Sequence, residues 1–139
     1  MSLTVDASVL VSAADRTDSF CSTSRRFLEA LAQRRIPVLV PSIAHLEVAC
    51  ALARRLRNAE SGRALAEALM RSPLVAGVAT DAALLAEAIE HGTKSFLRAG
   101  DALYVAVARR AEHAIVSWDS ELVNRAGAIT PDTWLDQNS

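Results

Sequence analysis

Four acids in this chain stand where carboxylates can do metal-dependent chemistry: Asp6, Glu47, Asp101 and Asp119. Asp6 directly follows the β-prone run Leu3-Thr4-Val5, and Asp119 lies just past Ala114-Ile115-Val116-Ser117. Glu47 falls in the second turn of the helix expected after the second strand. Asp101 falls in the first turn of the helix that precedes the Ser117 strand. Carboxylates gathered within a few ångströms repel, and some are forced to keep a proton unless a cation joins them. Mg²⁺ takes oxygen ligands, often one or two carboxylates together with waters and a substrate phosphate. A pair of such ions about 4 Å apart can activate water and stabilise the leaving oxygen of a phosphodiester.

Each acid also has a plainer role. An Asp after a strand is often a turn or a helix cap, which suits Asp6 and Asp119. Glu47 can pair with an arginine on a surface. Asp101 resists such a reading most, because it sits among Leu97, Ala102, Leu103, Val105 and Ala106. A carboxylate heading so apolar a helix needs the helix dipole or a cation beside it.

The elements that must position these acids alternate between strand and helix. Strands are expected at 3–5, 36–40, 74–78 and 114–117, with a possible last one at Ala128-Ile129. Helices are expected at 8–14, at 22–34 capped by Ser22 or Thr23, and at 43–57 capped by Ser42. Ile43, Leu46, Cys50 and Ala53 form the apolar stripe of the last of these. Further helices are expected at 60–70, at 81–90 with Gly92 as the stop, at 99–111 and at 120–125. Pro131 to Leu135 read as a tail turn. This alternation predicts one α/β domain over residues 1–139, a three-layer α/β/α sandwich around a mostly parallel sheet of four to five strands. Sites in open α/β sheets form outside the carboxyl ends of the strands. Asp6, Glu47 and Asp119 therefore converge on one edge. Asp101 follows a long loop, so the same argument places it less firmly.

Composition narrows the partners. The chain has 139 residues, 51% of them apolar and 4% aromatic, enough for a core without disulfides. A net charge of −1 excludes a protein that binds nucleic acid through charge alone. Fourteen of the fifteen basic residues are Arg, a side chain suited to bidentate phosphate contact. Arg16, Arg25, Arg26 and Arg98 are candidates to hold a phosphate backbone, unranked. Cys21 and Cys50 lack a CxxC spacing and read as ordinary thiols in a reducing compartment. No signal peptide or membrane span is visible, so the cytoplasm is the expected location. His45, His91 and His113 form no triad-like arrangement and read as surface or structural residues.

Four blocks carry a family resemblance. Val5-Asp6-Ala7-Ser8-Val9-Leu10-Val11 resembles the opening of PIN domains, and Ser42-Ile43-Ala44-His45-Leu46-Glu47-Val48 their second block. Ala99-Gly100-Asp101-Ala102-Leu103-Tyr104-Val105-Ala106-Val107-Ala108 closely resembles the third, and Val116-Ser117-Trp118-Asp119-Ser120-Glu121-Leu122 the fourth. Their order and spacing fit from Leu3 to Leu135, and the compact size is similar to VapC-type toxins of toxin–antitoxin pairs. The resemblance implies an endoribonuclease dependent on Mg²⁺ or Mn²⁺, with Asp6, Glu47, Asp101 and Asp119 at the acidic positions. It implies Ser8 and Ser117 as hydroxyls near the metal, although a helix cap and a strand-end hydroxyl explain them equally well. It further implies an RNA substrate, a homodimer, and an antitoxin whose tail covers the active-site groove. Trp118 departs from the small or polar residue expected there, and Ala7 from a common hydroxyl. The indole can restrict the pocket, stack on a base, or simply pack.

Rival readings are weaker. A phosphatase of the haloacid-dehalogenase type needs a second Asp two residues after the first, where this chain has Ser8. A response-regulator receiver needs an acid beside Asp6 and a late Lys, whereas the one lysine is Lys94. A PIN-like module that binds a protein and has lost its chemistry is the remaining alternative, and the intact four-acid pattern opposes it.

Overall fold

A computed structural model describes all residues, 1–139. Four strands, β1 (Leu3–Val5), β2 (Val38–Pro41), β3 (Val75–Val78) and β4 (Ala114–Val116), form one sheet in the order β3-β2-β1-β4. Every pairing is parallel. Eight helices surround it: α1 (Ala7–Ala14), α2 (Cys21–Gln33), α3 (Ala44–Leu56), α4 (Ala59–Met70), α5 (Ala82–Lys94), α6 (Ala99–Ala111), α7 (Ser120–Ala126) and α8 (Pro131–Gln137).

Side chains alternate across the sheet as a period of two requires. Leu3, Val5, Val38, Val40 and Val116 join the main core with Val9, Phe27, Leu31, Val48 and Leu52 from the helices. Leu39 and Ile115 face the other way, toward α5, α6 and α7. Both faces are covered, which is the condition under which an all-parallel sheet is stable. α6 is buried all round through its middle, from Ala102 to Ala108. It packs across β1, β2 and β4.

The strand order carries a consequence for function. From β1 the chain winds outward through β2 and β3, and β4 is then added on the other side of β1. The direction of winding reverses between β1 and β4, and such reversals open a crevice at the carboxyl ends of the strands.

Several expected details are corrected by packing. The buried stripe of α3 is Ala44, Val48 and Leu52, whereas Leu46 is 65% exposed and Cys50 is exposed. Both sets of residues recur at the helical period, and the neighbours α1 and α4 select the face of Ala44, Val48 and Leu52. Ser42 does not cap α3; its hydroxyl pairs with Thr80 Oγ1 at 2.9 Å, and Ile43 occupies the cap position. Neither Ser22 nor Thr23 caps α2, which starts at Cys21 after an Asp18 turn. Pro41 ends β2 from inside, paired with Val78. α5 runs past Gly92 to Lys94. A Cβ at Gly92 would lie 2.8 Å from the Ala102 Cβ, so this glycine permits close contact with α6 instead of ending a helix. Ala128-Ile129 contributes a single bridge from Ile129 to Val116. The tail is a helix, begun by Pro131 and anchored by buried Trp134 edge-on to Phe27 at 5.2 Å.

Candidate metal centre

Asp6 and Asp119 emerge from the two strands that flank the crevice. Asp6 caps α1, accepting from the Ser8 N–H at 3.3 Å. It is 6% exposed and also accepts from the Ser117 hydroxyl at 2.8 Å. Ser117 Oγ in turn accepts from the Asp119 N–H at 2.9 Å. Ser8 Oγ accepts from the Trp118 N–H at 3.1 Å and lies 3.3 Å from Ser117 Oγ. Two serines thus stitch the end of β1 to the end of β4. Asp119 caps α7 through Oδ1, accepting from the Glu121 N–H at 2.8 Å. Its Oδ2 takes no part in the cap and pairs with Arg98.

Asp101 and Glu47 reach the same edge from α6 and α3. Arg98 binds Asp119 Oδ2 at 2.6 Å and Asp101 Oδ2 at 3.2 Å, which brings Asp101 to the edge its loop had left open. Glu47 lies against the first turn of α6: a Cβ at Gly100 would stand 2.9 Å from Glu47 Oε2. All four acids expected from the sequence are therefore assembled at the crevice.

Two further residues belong to the cluster and escaped the sequence reading. Asp101, Asp119 and Glu121 offer carboxylate oxygens all within 4.8 Å of one another, and Asp6 and Glu47 stand outside that trio. Glu121 could have been found from its place two residues beyond Asp119, in the first turn of the same helix. Tyr104, the one tyrosine in the chain, stands one turn beyond Asp101 and is 1% exposed. Its hydroxyl faces Glu47 closely enough to favour the carboxylate's charge. Nevertheless, neither that hydroxyl nor Glu47 Oε1 completes a hydrogen bond of good geometry. Burial, followed by the charges of Glu47 and Asp6, raises the Tyr104 hydroxyl far above the phenolic range.

The electrostatics are those of a cluster short of positive charge. Burial raises Asp6 above the usual carboxylate range, only partly offset by Ser8 and Ser117. Burial raises Glu47, and the charges of Asp6 and Asp101 add to it. Burial and then the charge of Asp6 raise Asp101, against the pull of Arg98. Arg98 is the cation that contacts Asp101 and Asp119, also reaching Glu121 Oε2 at 3.5 Å, and its side chain is 68% exposed. The donors are all carboxylate oxygens, which suits a hard divalent ion. Glu47 Oε1 is a buried acceptor without a partner, which a hydrated cation would satisfy. On both grounds the residues present fit Mg²⁺ or Mn²⁺.

A family model for the PIN domain matches residues 3–128. The chain belongs to the PIN-domain family. Solved PIN-like neighbours share its fold. VapC20 of Mycobacterium tuberculosis, described as a toxin that cleaves the sarcin–ricin loop, aligns with a TM-score of 0.76 at 22% identity, over 92% of this chain and 97% of that one. PAE2754 of Pyrobaculum aerophilum aligns with a TM-score of 0.71 at 22% identity, over 99% and 88%. VapBC2 of Rickettsia felis, solved on a DNA fragment from its promoter, aligns with a TM-score of 0.70 at 14% identity, over 94% and 97%. No curated protein matches in sequence. At these identities the likeness is one of fold.

The remaining expected residues of this PIN domain fall into place around the centre. Trp118 is packed: its Nε1 donates to Ser24 Oγ at 2.8 Å, and its ring stacks on Phe20 at 4.0 Å. Arg25 is occupied by the Ala13 carbonyl at the end of α1. His113 is structural, with its two ring nitrogens bonded to the Ser2 and Thr4 hydroxyls.

Two outcomes follow from the contacts. Gly100→Ala meets only the flexible tip of Glu47, so stability should hold or rise slightly with the better helix former. Any metal-dependent cleavage should nevertheless fall by roughly 10- to 100-fold, the usual cost of disturbing the support of a metal site. Unchanged kinetics would detach Glu47 from the reaction. Arg98→Ala should tighten Mn²⁺ binding roughly several-fold in calorimetry, because the guanidinium competes for Asp101 and Asp119 through exposed and hence weak ion pairs. Weaker Mn²⁺ binding in this variant would show that Arg98 organises the acids and does not compete for them.

Proposed function

We propose that this PIN domain is a divalent-cation-dependent endoribonuclease and the toxin of a toxin–antitoxin pair. The observation that carries the proposal is the buried, partnerless Glu47 Oε1 among carboxylates that share Arg98 as their contacting cation. Asp6, Asp101 and Asp119 would hold Mg²⁺ or Mn²⁺ directly or through water, with Glu121 within reach of the same ion. When bound, the metal supplies a polarised water and charge stabilisation at the leaving oxygen. Ionised Glu47 would orient the attacking water or help to hold a second ion. Ser8 and Ser117 hold Asp6 and the start of α7 in register. Attack in line at phosphorus leaves a 5′-phosphate and a 3′-hydroxyl, and no His, Lys or Tyr base is required.

Among the fold neighbours are a toxin that cleaves the sarcin–ricin loop and a toxin–antitoxin complex from Klebsiella pneumoniae, which supports an RNA substrate and an antitoxin partner for this chain. A homodimer and a cytoplasmic location complete the proposal. No helix is long and apolar enough to cross a membrane.

Purified chain incubated with total bacterial RNA tests this reading. Discrete new 5′-phosphate ends should form with Mg²⁺ or Mn²⁺ and vanish with EDTA, and induced expression should arrest growth. Soluble protein that forms no new ends with either ion, and is harmless when expressed, would return the balance to a protein-binding module.

A further inference from the structure

An acidic crevice repels the phosphates that lead into it, so a nuclease of this kind needs a positive foothold nearby. One is present beside Glu47. α1 and α3 each follow a strand of the parallel sheet, so both start at its carboxyl edge and descend side by side. The cleft between them has a volume of about 360 Å³ and is lined by Ala7, Ser8 and Val11 of α1 and by Glu47, Cys50, Ala51, Arg54 and Arg55 of α3. The α3 residues lie at i, i+3, i+4, i+7 and i+8, which is one face of a helix. A second concavity of about 440 Å³, lined by Ala51, Arg54, Arg55 and Arg57, continues from its lower end.

The two ends of this cleft differ in charge. The upper end holds Glu47 and Ser8 of the candidate metal centre. The lower end holds three arginines, of which Arg55 is already bound to Asp15 and Asp18 at 3.1 and 2.6 Å. Arg54 and Arg57 are exposed and take part in no ion pair. Arginines near a helix C-terminus also complement its dipole, and that alone would explain their presence. It does not explain a cleft that runs from them to a catalytic carboxylate. From Glu47 to Arg54 is seven residues, about 10 Å along the helix, within reach of a neighbouring nucleotide on a single strand.

We infer that the α1–α3 cleft is the track for single-stranded RNA, with Arg54 and Arg57 binding a phosphate adjacent to the one held at the metal centre. Arg55, fixed by its two aspartates, forms the wall of the track. The inference rests on the ribonuclease reading and adds to it the place and the ligand of the substrate's backbone.

The test uses fluorescein-labelled single-stranded RNA of mixed sequence, with the full chain carrying Asp101→Asn so that binding is measured without cleavage. Adding Arg54→Ala/Arg57→Ala should weaken binding about tenfold and reduce the salt dependence of log Kd by about 1 to 2. A control, Arg35→Ala/Arg71→Ala, removes the same charge at the ends of α2 and α4 and should leave the slope nearly unchanged. Cys50 gives an independent readout, since it is exposed within the cleft while Cys21 is buried. RNA should slow its alkylation several-fold, and less so in the double variant. With otherwise wild-type protein, Arg54→Ala/Arg57→Ala should raise KM and leave kcat nearly unchanged. If RNA is cut normally while affinity, salt slope and Cys50 protection are unaffected by these substitutions, the track is wrong and the ribonuclease reading stands. Loss of antitoxin binding with RNA affinity intact would give the arginines to a protein partner and overturn the track equally. Wild-type protein that neither binds nor cuts RNA would overturn both.

Discussion

Asp101→Asn should lower RNA cleavage by more than about a hundredfold, because even substitutions behind a metal ligand cost 10- to 100-fold. In EDTA the same variant should be as stable as the wild type, or more so. The two effects have one cause. Asp101 is half-buried and its pKa is raised by that burial and by Asp6, so its ionised form opposes folding at neutral pH. Asparagine keeps the size and removes the charge. Arg98 loses one partner and keeps Asp119 at 2.6 Å. Chemical denaturation in EDTA and cleavage with Mn²⁺, measured on one preparation, check both. Joint collapse of stability and activity would mark Asp101 as a structural cap of α6. Retained, metal-dependent cleavage would remove it from the ligand set.

Mg²⁺ or Mn²⁺ should raise the melting temperature at pH 7.5 by several degrees, and the gain should fade as pH drops. A ligand at a hundred times its Kd stabilises by about 2.7 kcal/mol, worth several degrees in a chain of this size. The pH sense follows from the proton count. Asp6, Glu47 and Asp101 have pKa values raised above 3.8, 4.5 and 3.8, so the metal-free folded state binds more protons than the unfolded chain. Their contribution to stability therefore grows as pH falls from neutral through their folded pKa values, and levels off below the unfolded ones. Those same protons compete with the metal. Other groups work oppositely: His113, lowered by burial, removes stability below 6.5, and Asp15 and Glu87, lowered chiefly by bonds to Thr17 and Arg110, remove it in acid. The difference between melting curves with and without cation at each pH, at matched ionic strength, isolates the acids. An identical shift at pH 7.5 and pH 5, or none at either, would exclude this cluster as the binding site.

The fold was legible because its signals are local. Strand runs such as Ile115-Val116, and the helix patterns around them, dictate alternation, and alternation dictates a parallel sheet whose acids share an edge. Choices between equivalent local patterns were not legible. α3 carries two stripes of helical period, and only the packing of α1 and α4 decides that Val48 and Leu52 turn inward while Leu46 turns out. Gly92 has the look of a helix stop until Ala102 is seen beneath it. Trp118 could be read as a stacking surface or as filler until Ser24 and Phe20 are found to hold it. Glu121 and Tyr104 passed unremarked because their importance lies in what they face, across elements remote in sequence. The four acids were accessible because each sits at a strand end or a helix start, where the chain order itself brings them together.

The central place of β1 also bears on when the protein can act. Asp6 leaves the ribosome 111 residues ahead of Ser117, which donates to it. Synthesis delivers the N-terminus first, so β1 must wait for the last strand before its second edge is covered. Between the synthesis of Glu47 and that of Arg98, the nascent chain holds Asp6 and Glu47 without Asp101, Arg98 or Asp119. The pocket closes only when α7 has emerged, and until then the acidic cluster on the ribosome is incomplete.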